Sequence, residues 1–277
     1  MSRLVRLGAA ITVATLLGGC GGATGGPSTV GSPTASATHA ASPTTPPPTG
    51  TGPAATPEDP LLGSEAVMFT TDDGVRIEGR VFGAGSVGVV LAHGAFETGQ
   101  GSWFSFAQTL SAQGYGVLTL NLRGYCPGGI NGCSGGSRNP PETWHDVVAG
   151  AKFLQRKGTA RVFLMGASLG ARSCLWAASR PGVTVAGVIG VSTPLKAVAD
   201  YSPAYDFTRD VIAAIAEPKL LMAGDSDEDY ATQARTLFAW AVEPKVLSIL
   251  SSAAHGPTLM GVPGATTAVL DFVERSR

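Results

Sequence analysis

Histidine and cysteine are scarce in this chain of 277 residues, with four of each. No group of them has metal-ligand spacing, so no metal site is expected. Positive charge is not concentrated: 19 Lys and Arg stand against 20 Asp and Glu. Without a basic cluster, nucleic acid is not an expected partner. The apolar run near the N-terminus, LGAAITVATLLGG, is 13 residues long, short of the ~20 that cross a bilayer as a helix. No repeat of solenoid or propeller length occurs.

What the N-terminus does have is the order of a secretory signal. Residues 1–19 begin with Arg3 and Arg6, pass through the apolar run and end in small residues before Cys20. The tetrapeptide LGGC resembles the lipobox of bacterial lipoproteins. That resemblance implies cleavage before Cys20, a lipid on its sulfur, and anchorage to the outer face of the bacterial cell membrane. An ordinary signal peptide cut nearby would instead leave a secreted protein. From 21 to 60 only Val30, His39, Glu58 and Asp59 are not Gly, Ser, Thr, Pro or Ala. Such a segment cannot bury enough apolar surface to offset the entropy of ordering it. Residues 20–60 are therefore expected to be a disordered spacer, averaging ~35 Å end to end.

The remainder, 61–277, is long enough for one well-cored domain. EAVMFT and VRIEGRVF, joined by TDDG, read as an antiparallel hairpin. Beyond it, strand-like runs (VGVVLAHG, YGVLTLNLRG, RVFLMGAS, VAGVIGVS, KLLMAGD, KVLSIL) alternate with helical ones. Trp144, Val147, Val148, Ala151 and Leu154 recur at helical spacing and define one buried face. Several strands are apolar throughout, as strands covered on both faces are. The alternation predicts an α/β domain, a mostly parallel sheet flanked by helices, with its site at the carboxyl ends of the strands.

In RVFLMGASLGAR a serine follows a strand and opens a helix, bracketed by Gly166 and Gly170. A serine on so tight a turn projects its hydroxyl above the sheet edge, and small neighbours give it room. Gly-x-Ser-x-Gly is the form of a nucleophile elbow, with Ser168 as nucleophile. A serine needs a base and an acid that orients the base. Among the histidines, His39 lies in the spacer and His93 suits shaping of the turn after an early strand. His145 falls on the polar side of its helix, among solvated residues. His255, in SSAAHGP after KVLSIL, is left as the base. AGDSDEDY offers Asp225, Asp227, Glu228 and Asp229 as acids. DSDED also resembles the opening of a calcium loop, but Tyr230 and Thr236 stand where that loop needs Gly and Glu.

With LAHGAFETG, NLRGYC, GASLG, AGDSD and AAHG in that order, the domain resembles the α/β-hydrolase superfamily. It is similar in particular to dienelactone-hydrolase-like and serine-aminopeptidase-like esterases. The resemblance implies the α/β-hydrolase fold and places the acid three residues after the strand-end Gly224, at Asp227, with Asp225 as runner-up. It also implies oxyanion donors at the N–H groups of Ala95 and Leu169. Ser168 stands where true dienelactone hydrolases have cysteine, so their substrate does not carry over. A family cap domain is not expected, because Pro194 to Pro218 leaves too little chain for one. Cys126 and Cys133 in CPGGINGC are close enough to pair in an exported protein, whereas Cys174 reads as a small buried residue. The expected activity is cleavage of a small or soluble ester through an acyl-enzyme, with no cofactor. The same triad would serve a peptidase, a thioesterase or an envelope acyltransferase. A tethered binding module with the same fold is the non-enzymatic alternative. Oligomeric state is left open.

Overall fold

The computed structural model describes residues 61–96, 98–126, 133–196 and 205–276. The signal peptide, Cys20 and the spacer to residue 60 lie outside the described residues, as do six residues of the CPGGINGC loop.

The hairpin forms as TDDG predicts. Strands β1 (Ser64–Thr70) and β2 (Arg76–Phe82) pair antiparallel, and the Gly74 N–H donates to Thr71 O at 3.1 Å across the turn. Then come β3 (Val87–Ala92), α1 (Phe104–Ala112), β4 (Gly116–Leu120), α2 (Thr143–Arg156), β5 (Arg161–Ala167) and α3 (Leu169–Ala178). They are followed by β6 (Gly187–Val191), α4 (Arg209–Ala213), β7 (Lys219–Gly224), α5 (Tyr230–Trp240), β8 (Lys245–Leu250) and α6 (Ala265–Arg275). The eight strands form one sheet in the order β1-β2-β4-β3-β5-β6-β7-β8. β2 meets β4 antiparallel, and every pair from β4 to β8 is parallel.

Side chains of successive strand residues point to opposite faces, so an apolar strand feeds two cores. Val90, Leu118 and Leu164 join α2, α3 and α5 residues on one face. Val89, Val117, Phe163 and Met165 join α1 and α6 residues on the other. This is why β3, β4, β6 and β7 are buried along their whole length. Between β6 and β7 the described residues hold only the five-residue α4, and residues 197–204 lie outside the description.

His145 lies at the surface as expected but is only partly exposed: its side chain is 16% exposed, with Nδ1 2.6 Å from Asp72 Oδ1 and Nε2 3.3 Å from Glu142 Oε2. The first turn of α2 packs beside the β1–β2 turn, and helical periodicity cannot see a neighbour supplied by another element.

Candidate active site

Ser168 sits between β5 and α3 with φ 50° and ψ −114°. A non-glycine residue with positive φ costs about 1–3 kcal/mol and persists only where its surroundings hold it. Here the Ser168 N–H donates to Val191 O of β6 at 2.9 Å, and its own carbonyl accepts from Arg172 N at 3.1 Å. The bracketing glycines are required by contact. A Cβ on Gly166 would lie 2.2 Å from the Gly170 carbonyl carbon, and one on Gly170 would lie 2.2 Å from Ala92 O. The helix start is thus pressed onto the ends of β5 and β3, and no side chain fits between them.

The loops after β7 and β8 meet just as closely, since a Cβ on Gly224 would lie 2.2 Å from Ser252 O. That contact separates the two candidate acids. Asp225 is exposed and turns to the neighbouring loop, its Oδ1 accepting from Ser252 N at 3.0 Å. Hydrogen bonds from Ser226 and Ser252 hold its carboxyl below the usual range. Asp227 is 4% exposed, and its Oδ1 and Oδ2 lie 3.0 and 3.1 Å from His255 Nδ1. A carboxylate at Nδ1 favours the tautomer that carries the proton there and leaves Nε2 as a lone pair.

Sequence reasoning missed Ser192. It is fully buried directly after β6, with φ 47°. Its hydroxyl donates to Asp227 Oδ2 at 2.7 Å and accepts from Gly256 N at 3.0 Å. One side chain thereby ties the acid to the residue after the histidine. The chain signal, VST at a strand end, is too common to single out.

Phe96 and Tyr230 flank the His255 ring at centroid distances of 6.0 and 4.6 Å. Tyr230 also lines a cavity of about 480 Å³ together with Ser168, Leu169 and Ala95. Among the described residues no hydrogen bond joins Ser168 Oγ to His255, and the N–H groups of Ala95 and Leu169 have no protein acceptor. Catalytic hydrogen bonds often form only once substrate is bound.

His93 is buried at the end of β3. Its Nδ1 lies 2.5 Å from Gly94 O, and Nε2 accepts from Leu122 N at 3.0 Å. It joins β3 to the segment after β4 and fixes the approach to Ala95, as its place in the sequence suggests. Cys126 and Cys133 are bonded to each other, with Cα atoms 4.4 Å apart. Cys174 is a buried free thiol whose ionisation burial pushes upward. Asp72, Asp73 and His145 bring three possible ligand atoms within 4.8 Å of one another. However, Arg123 already binds Asp73 at 2.7 and 3.1 Å, and Asp72 holds His145, so these groups already have protein partners.

Known structures share this arrangement of strands and helices. A Pyrococcus furiosus esterase superposes with a TM-score of 0.63 at 20% identity, covering 79% of this chain and 95% of that one. The alpha/beta hydrolase GrgF from Penicillium sp. sh18 gives 0.61 at 17% identity, with 78% and 99% covered. A membrane phospholipase A, described as a bacterial virulence factor, gives 0.59 at 16%, with 78% and 88% covered. Residues 89–273 match the model of the alpha/beta hydrolase family. That span runs from β3 to α6 and takes in the serine turn, both acid candidates and His255. The chain belongs to the alpha/beta hydrolase family.

Proposed function

We propose that this protein is a serine hydrolase that cleaves carboxylic esters through an acyl-enzyme on Ser168. The observation that carries the reading is the Asp227–His255 pair at 3.0 Å, set beside a cavity whose wall holds the strained serine. His255 Nε2 accepts the hydroxyl proton as Ser168 Oγ attacks the ester carbonyl. Asp227 holds the Nδ1–H and stabilises the imidazolium that forms. The Ala95 and Leu169 N–H groups, which have no acceptor among the described residues, take the oxyanion of the tetrahedral intermediate. The intermediate collapses, the carbonyl–alkoxy bond breaks, and His255 returns the proton to the departing alcohol. Water then attacks the acyl-enzyme with His255 again as base, which frees the acid and restores Ser168. The cycle consumes one water and needs no other reactant.

The likeness to an esterase structure agrees with an ester substrate, at an identity that speaks to the fold. Cys20 is the proposed lipidation site and residues 21–60 the tether, which would hold the domain off a membrane surface. Among the described residues no helix is long and apolar enough to cross a membrane.

The decisive experiment is fluorophosphonate labelling with ester turnover. Native protein should label, and Ser168→Ala should abolish labelling and lower kcat/KM about a thousandfold or more. His255→Ala should behave similarly, whereas His145→Ala, outside the cavity, should cost little. Activity should rise from acid toward neutral pH, because the base must be neutral to accept a proton. Folded protein that neither labels nor turns over esters would defeat the reading in favour of a binding module.

A further inference from the structure

The described lining of the cavity beside Ser168 carries charge of one sign. Among the described residues Arg138, Arg172 and Lys196 line it and no Asp or Glu does, in a chain whose basic and acidic residues nearly balance. Arg138 and Lys196 are exposed. Arg172 is 7% exposed and lies on α3 one helical turn beyond Ser168, about 6 Å along the axis. Its Nη1 has a structural task, donating to Pro194 O and Leu195 O at 2.8 Å each. Its Nη2 has none: it is buried without a hydrogen-bond partner. The guanidinium carbon lies 4.6 Å from the Phe207 ring centroid. Burial lowers the Arg172 pKa to about 10, against the attraction of Asp206.

One turn further, Trp176 also lines the cavity, and its Nε1 is likewise buried without a partner. A buried donor left unmade costs about 1–3 kcal/mol, more when charged. Two of the four such atoms among the described residues, at i and i+4 of one helix, belong to side chains that line the cavity. Glu142 stands near, with its Oε1 3.5 Å from Tyr205 Oη, but neither it nor Asp206 lines the cavity. Two N–H donors with one positive charge match a monoanion with two oxygens better than a dianionic phosphate with three.

We propose that the cavity takes an ester bearing a second, carboxylate group, which Arg172 Nη2 and Trp176 Nε1 hold while Ser168 meets the ester carbonyl. This rests on the ester reading above and adds the class of substrate to it. The spacing of one helical turn suits a carboxylate a few bonds from the scissile carbonyl. Arg138 and Lys196 add attraction for the anion at exposed positions.

The test compares substrates of equal size. Ethyl hydrogen glutarate is set against ethyl 5-methylhexanoate, in which an isopropyl group replaces the carboxylate on the acyl side. 4-Acetoxybutanoate is set against 4-methylpentyl acetate, which makes the same change on the alcohol side. In at least one pair kcat/KM should favour the anion by roughly tenfold or more, the worth of one charge-assisted hydrogen bond. Arg172→Gln should bring that ratio toward one. The double variant Arg138→Gln/Lys196→Gln, both exposed sites, should lower it in part and serves if Arg172→Gln does not fold. The same pairs are titrated calorimetrically into Ser168→Ala, so that anion preference is read apart from turnover. Ratios near one in both pairs, with neutral esters turned over, would overturn the carboxylate site and leave the ester reading intact. Equal or undetectable binding of both members to Ser168→Ala, or a ratio unchanged in both variant proteins, would overturn it as well.

Discussion

Replacing His93 by Gln should change how stability depends on pH, in a direction the structure fixes. The ring is wholly buried, and Nε2 accepts the Leu122 N–H, so its single proton resides on Nδ1 facing Gly94 O. A second proton would expel the Leu122 hydrogen bond and place a charge in the core. Burial accordingly pushes the His93 pKa from 6.5 down to about 4. In the unfolded chain the imidazole takes a proton near the ordinary value, and in the folded chain it resists. The contribution is therefore whole above pH ~6.5 and is lost as pH falls through about 4. At about 1.36 kcal/mol per pH unit across that gap, it amounts to about 3 kcal/mol. Asp146 works the other way: burial raises its carboxyl from 3.8 to about 6 despite the Arg123 hydrogen bonds, so acid favours its folded form over the same range. The wild-type curve alone would thus hide the His93 term, and a difference curve exposes it. Urea unfolding of wild type and His93→Gln, followed by tryptophan fluorescence from pH 8 to pH 4, is the assay. The variant should be the less stable at pH 8, and the gap should narrow by about 3 kcal/mol toward pH 4. A gap that stays constant with pH would refute the reasoning.

Ser192→Ala removes the hydroxyl between Asp227 and Gly256 and leaves a buried N–H unmade. It should cost about 2–4 kcal/mol, seen as a Tm lower by roughly 5–10 °C in a domain of this size, and kcat/KM should fall with it; an unchanged Tm and rate would show the hydroxyl to be dispensable. Across p-nitrophenyl esters from acetate to palmitate, rates should be highest for short acyl chains, because a cavity of about 480 Å³ limits the apolar area that each ~0.8 kcal/mol methylene can bury. A maximum at long chains, or a jump when an emulsion interface forms, would point to a lipid-binding cover that the short β6–β7 connection is not expected to build.

The alternation of strands and helices is legible because each strand must satisfy two cores at once. That demand writes an uninterrupted apolar run into β3, β4 and β7, and the hairpin is marked by its turn residues. Ser168 and His255 are legible for a different reason, since the first is bracketed by glycines and the second is left by elimination. The acid is less so. Asp225 and Asp227 both follow β7, and spacing alone does not say which faces the histidine. The register of two loops in contact decides it, turning Asp225 outward to Ser252 N and Asp227 inward. Ser192 and the environment of His145 escape for the same reason, because each depends on a partner from a distant element. Arg172 and Trp176 had a local signal: with Ser168 and Arg180 they form a row at intervals of four along the chain.

Where loops touch backbone to backbone, their positions are coupled, and that has a consequence for the site. Gly170 presses on Ala92, Gly224 on Ser252, and Gly256 donates its N–H to Ser192. The serine turn, the acid loop and the histidine loop therefore brace the ends of neighbouring strands. Ser168 can then hold a positive φ because the Val191 carbonyl on β6 fixes its N–H, and Ser192, one residue beyond that carbonyl, fixes the acid. Ser168 and Asp227 are referenced to the same strand end, through the adjacent residues Val191 and Ser192. A displacement of that strand end would move both together, preserving their separation, whereas His255 sits on a separate loop and depends on Ser192 and Asp227 for its place.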